Sequence, residues 1–243
     1  RMSLEPGSIA LLLMAAFIGG TVSGITGFAF SLVTAGVVTR LLPPSSATLI
    51  LVAAPFLLQV VSLVQFRHAL QWARLWPFLV GGVLGIPVGV EILKSIDALG
   101  FRLLIGCLLI GYSIVMLSIR RPVQINAGAP ADGVVGFLGG VLGGSTGFAG
   151  ALPTIWAGLR GWPKDEQRAV FQPYILLIQF LTLVWLGVQG AITLPALVSF
   201  MACVPAMLAG LWLGWRLYGR VDEHGFRRIV LWLLLLSGIT LVI

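Results

Sequence analysis

Charge is what this chain has least of. Only 9% of its 243 residues are Asp, Glu, Lys or Arg, against roughly 25% in a soluble domain. With 58% hydrophobic residues and a mean hydropathy of +1.05, that scarcity excludes a soluble enzyme and predicts a multi-spanning membrane protein; no enzymatic activity is expected. No stretch is long or polar enough for a soluble domain. Cysteine is scarce too: Cys107 and Cys203 both lie inside apolar runs, which argues against a disulfide framework or a metal centre. The two His are not spaced as a metal pair, and no cofactor or metal is expected. A Walker motif is missing, so ATP-driven transport by this chain is not expected. No carboxylate falls at the centre of an apolar run, leaving a membrane-embedded proton relay without an obvious member. Glu91 comes nearest, but its place at a span end favours a solvated role. Glu5 and Pro6 stand where a signal peptide would have a basic n-region.

What charge there is has a pattern. The net charge is +7, from 15 Lys and Arg against 8 Asp and Glu. The basic residues sit in short loops between apolar runs, where they act as topology signals rather than a nucleic-acid surface. Room exists for about eight spans of roughly 20 residues.

The densest feature is a repeat. Residues 17–32, FIGGTVSGITGFAFSL, recur at an offset of 120 as residues 137–152, FLGGVLGGSTGFAGAL, with nine of sixteen positions identical. Each copy lies in an over-long uncharged segment, 8–39 or 133–159. The first, of 32 residues, would be about 48 Å long as one helix, against a hydrocarbon core of about 30 Å. A break at the Gly-rich centre is therefore predicted, giving either a kinked crossing or a helical hairpin that turns back within the membrane. Further spans are predicted over 47–66, 77–93, 101–119, 169–189, 196–215 and 229–243. Gly81, Gly82, Gly85 and Gly89 occupy closely related faces and predict close helix contact. The polar, turn-rich stretch 120–132 reads as a linker between a first repeat, 8–119, and a second, 133–243. The likeness of the halves extends to Gln59 and Gln179, and to SIDALGFRLL at 95–104 against RVDEHGFRRI at 220–229.

Loop basicity addresses orientation. Kinked crossings make the halves parallel; hairpins make them inverted. Inversion places eleven Lys and Arg on one side and four on the other, parallel halves ten and five. The positive-inside rule thus prefers inversion, with the N-terminus outside.

Two constellations can carry chemistry. At each Gly-rich break, backbone N–H groups must meet protein, water or substrate, and the N-terminus of the second half-helix suits an anion. Thr26 and Thr146 add hydroxyls, and Pro153 fits a first helical turn. The other reading is that the glycines serve tight packing alone. Matched, interrupted segments in two halves point toward a binding site. The second constellation is Gln59, Gln172 and Gln179 inside spans, with Arg168 on the face of the latter two. These could donate to an oxyanion or bond between helices; Arg168 reads as a snorkelling anchor.

The doubled motif around Gly24-Thr26-Gly27-Phe28 and Gly144-Thr146-Gly147-Phe148, and the P-x-x-x-Q run Pro55 to Gln59, resemble the TauE/SafE family of sulfite exporters. The second run departs, with Pro173 and Gln179 six residues apart. The resemblance covers nearly the whole chain. It implies secondary transport of sulfite, a sulfonate or a similar small anion across the cytoplasmic membrane. The fold expected is an all-α integral membrane protein of two homologous repeats, inversion preferred, each a Gly-rich broken or re-entrant helix plus three transmembrane helices. The expected substrate-binding residues are Gly24, Thr26, Gly27, Phe28, Gln59, Gly144, Thr146, Gly147, Phe148 and Gln179. The expected partners are a small anionic substrate and the lipid bilayer, not nucleic acid, with a homodimer possible. An anion channel and a membrane scaffold without flux are the alternatives.

Overall fold

The computed structural model describes residues 6–66, 72–118, 125, 127–162, 164–218 and nine positions between 231 and 242. All regular structure among them is helical. The helices are α1 (Pro6–Thr26), α2 (Phe30–Leu41), α3 (Pro44–Phe66), α4 (Trp72–Ser95), α5 (Ala98–Ser118), α6 (Ala129–Thr146), α7 (Ala151–Leu159), α8 (Lys164–Val188) and α9 (Leu194–Leu217). Helix also recurs among the described residues from 231 to 242. Segments of α1, α4, α5, α8 and α9 are long and apolar enough to cross a membrane. Residues 67–71 of the predicted loop 67–76, residues 219–228 of the predicted loop 216–228, most of the linker and the side chain of Arg168 lie outside the described residues. The second repeat's helix starts earlier than its uncharged run, because Pro130 suits the first turn of α6.

Both over-long segments are broken at the same aligned glycine. Gly27 and Gly147 have φ of 88° and 80°, the left-handed region that only Gly enters without strain. At the second break the Gly147 N–H returns to Gly143 O and the Phe148 N–H to Leu142 O, a Schellman-type stop. The chain then doubles back. A Cβ on Gly139 would touch Ala149 O and Pro153, and one on Gly19 would meet Phe30 and Thr34. Asp132, in the first turn of α6, meets Trp156 and Arg160 at the far end of α7. The segments are therefore helical hairpins, α1–α2 and α6–α7, not kinked crossings.

Each hairpin is clamped by a helix from the other half of the chain. Phe78, Gly82 and Ile86 of α4 lie against Gly136, Gly140 and Gly144 of α6. Met207, Leu211 and Gly214 of α9 lie against Gly20, Gly24 and Thr21 of α1. Spacing by four puts the glycines in one row, and the rows run in the same direction along each pair. A Cβ on Gly20, Gly81, Gly140 or Gly210 would collide with backbone across the seam. The predicted close contact of the α4 glycines is thus made, backbone to backbone.

Candidate functional site

Both breaks are braced by the paired glutamines. Gln59 Nε2 of α3 donates to Gly27 O at 2.5 Å, and Gln179 Nε2 of α8 donates to Gly147 O at 2.9 Å. Offsetting the first bond by 120 gives the second. Both glutamines are buried, and a polar side chain at membrane depth is costly without such a partner.

These bonds also fix depths. On α3, Gln59 is level with the first break and Leu51 with the second, since Leu51 O sits directly against Gly147. The eight residues between them amount to about 12 Å of helix. On α8 the order reverses: Phe171 packs edge-on against Phe28 of the first break at 5.5 Å between centroids, and Gln179 holds the second. Hence α3 and α8 run in opposite directions past the two breaks, and the hairpin tips overlap. Each tip inserts a Phe into the other core. Phe28 contacts the cluster of α4 and α8 side chains, while Phe148 is buried in the cluster built on α1, α2, α3, α5 and α9. Gly150 lies beside Phe28, and a Cβ there would touch Phe28 at ordinary contact distance and crowd Ile175 of α8.

The threonines are turned inward to their own helices. Thr26 Oγ1 donates to Val22 O and accepts from the Ala29 and Phe28 N–H groups at 3.3 and 3.5 Å. Thr146 Oγ1 donates to Leu142 O. Their hydroxyl protons are engaged in this arrangement, so they shape the breaks rather than offering a free donor. Gly24 and Gly144 lie in the seams, against Gly214 of α9 and Ile86 of α4. Gln172 is buried in α8. Of the ten expected residues, the structure thus brings Gly27, Phe28, Gln59, Gly147, Phe148 and Gln179 to the tips.

Sequence reading missed two features. Pro55 has no N–H to offer Leu51 O, four residues back. That freed carbonyl instead accepts from Ser31 Oγ at 2.7 Å. The second feature is a polar cluster at the mouth of the α6–α7 hairpin. Asp132, buried, accepts from Trp156 Nε1 at 2.7 Å and from Arg160 at 2.8 Å. Arg160 and Arg74 flank the Trp162 ring, each 5.1 Å from its centre, and Arg74 pairs with Glu166. In the sequence Asp132 closes the polar stretch 120–132 and reads as linker, so its pairing with Trp156 and Arg160 was not legible.

Long apolar helices around two buried, broken hairpins define a multi-pass membrane protein. Comparison with known families places it further: the model of the sulfite exporter family TauE/SafE matches residues 12–241, and the chain belongs to that family of membrane transporters. No curated protein and no solved structure matches it.

Proposed function

We propose that this protein is a secondary transporter of a small sulfur-containing anion, sulfite or a sulfonate, working in the cytoplasmic membrane by alternating access. The carrying observation is the meeting of the two hairpin tips, Gly27-Phe28 and Gly147-Phe148, each braced by a buried glutamine. Interrupted helices that expose backbone at membrane depth belong where protein or a substrate can satisfy it. In this reading the anion lies between the tips, on the side of the remaining amide N–H of Gln59 and of Gln179, and Thr26 and Thr146 hold the turns. Gly24 and Gly144 let the clamping helices approach.

The halves 8–119 and 133–243, joined by 120–132, act as two inverted repeats. Support comes from the opposed courses of α3 and α8 and from the correspondence between the seams. Gly20–Met207 maps onto Gly140–Gly82, and Gly24–Leu211 onto Gly144–Ile86, at offsets of 120 for the hairpin and 125 for its clamp. Rocking of one hairpin with its clamp against the other would open the tips to alternate sides.

Purified protein in liposomes tests the proposal. Radiolabelled sulfite should show saturable flux and counterflow driven by unlabelled sulfite on the opposite side. Flux without counterflow would replace the carrier by a channel; no flux of any sulfur anion would leave a scaffold.

A further inference from the structure

Among the described residues, three buried side-chain oxygens have no hydrogen-bond partner: Thr48 Oγ1, Gln179 Oε1 and Thr182 Oγ1. Their residues are 1%, 1% and 0% exposed. Unpartnered polar atoms so deeply buried are rare in folded proteins and call for an occupant. All three belong to one locality. Gln179 holds the second break, and Leu51 O lies against the same glycine. Thr182 is one turn beyond Gln179 on the same face of α8, and Thr48 is one turn before Leu51 on the same face of α3. Because α3 and α8 run oppositely here, both threonines fall on the same side of Gly147, at one depth.

The chemistry of the set selects the occupant. Gln179 commits one amide N–H to Gly147 O, and its unpartnered atom is the carbonyl Oε1, which can only accept. Leu51 O, freed by Pro55, uses one lone pair on Ser31 and keeps the other. The threonine hydroxyls, whose protons can rotate away toward a neighbouring acceptor, add lone pairs of their own. Two carbonyl oxygens that can only accept disfavour an anion on the Oε1 side of Gln179, and with hydroxyl oxygens beside them they suit a hard cation. Among the described side chains no carboxylate is at hand: Asp132 is held at the hairpin mouth by Arg160, and Glu91, Asp97 and Glu166 sit at helix ends. That disfavours a divalent ion, which relies on carboxylates or retained water.

The geometry points to a sodium-type monovalent cation site formed by Gln179 Oε1, Thr48 Oγ1, Thr182 Oγ1 and Leu51 O beside the Gly147 break. Binding of the cation stands on these atoms alone. Its use as a coupling ion rests on the transport reading: a cation here and an anion at the tips would offset each other's charge, lowering the cost of burying either.

The test is thermal unfolding of the purified full chain in detergent, in sodium chloride against choline chloride at equal ionic strength. A ligand that prefers the folded state raises the midpoint with concentration. Sodium should raise it saturably. Thr48→Val and Thr182→Val should each lose that rise, Thr182→Ser should keep it, and melting in choline reports whether each variant folds. Equal midpoints in sodium and choline for the unaltered protein would mean a buried water only, and would overturn the site without recourse to any variant. A rise that survives both valine substitutions would also overturn it. The same assay with sulfite separates the two readings. Stabilisation by sulfite with no response to sodium removes the cation site and leaves transport standing. A sodium response with no sulfur-anion binding does the reverse.

Discussion

Gly147 is the residue on which two demands coincide. Its backbone occupies the left-handed region, and a Cβ there would stand 2.5 Å from Leu51 O. Gly190 has the same hand, φ 66°, with open space around it. The pair separates conformational strain from collision. Gly190→Ala should cost about 1 kcal/mol, the penalty for a left-handed L-residue, and Gly147→Ala about 2–3 kcal/mol once the contact with backbone is added. Unfolding midpoints of both variants in detergent check this; equal shifts would mean that Leu51 yields freely. The importance of Gly27 and Gly147 was legible in the sequence, because only these breaks reconcile 32 uncharged residues with the thickness of a bilayer. What could not be read was the state of each hydroxyl and amide. Thr26 and Thr146 looked like donors awaiting a ligand, yet helix geometry offers each a carbonyl four residues back, and both take it. Gln59 and Gln179 were found by their offset, while the unpartnered oxygen of Gln179 depends on its packing, which the offset does not carry.

At the scale of elements, the α6–α7 hairpin is pinned at tip and mouth. The tip has Gln179; the mouth has Asp132 holding Trp156 and Arg160. In the first hairpin Leu12 stands where the offset would put the acid. Asp132→Ala leaves a guanidinium and an indole N–H without their acceptor, at a cost of about 2–3 kcal/mol. The expected signature is faster hydrogen exchange in the amides of α7, with those of α2 unchanged. Uniform acceleration across both hairpins would show that the mouth supports the whole protein instead. Hydropathy could not separate a hairpin from a kinked crossing, because both demand the same length, the same apolarity and the same central glycine. The deciding contacts, Gly139 to Pro153 and Asp132 to Arg160, pair residues at opposite ends of one segment.

At the scale of the molecule, the hairpins and the proposed inversion of the halves make one topological statement that labelling can check. In a background with Cys107 and Cys203 replaced by serine, single cysteines at Pro43 and Gly161 should react with a membrane-impermeant maleimide from opposite sides. Kinked crossings and parallel halves would put both on the same side. The basic residues favour opposite sides, at eleven to four for inverted halves against ten to five for parallel ones.

The glycine seams have a consequence in time. The smooth face of α1 is complementary to α9, not to anything in its own half. Between Gly20 and Met207 lie roughly 190 residues of synthesis, on the order of 10 to 40 seconds at ordinary elongation rates. During that wait the first hairpin must sit in the bilayer, or beside a chaperone, with its contact row unmatched. Maturation therefore cannot proceed half by half: the last clamping helix to emerge completes the first hairpin made, and a chain stopped before α9 lacks the surface that holds its own beginning in place.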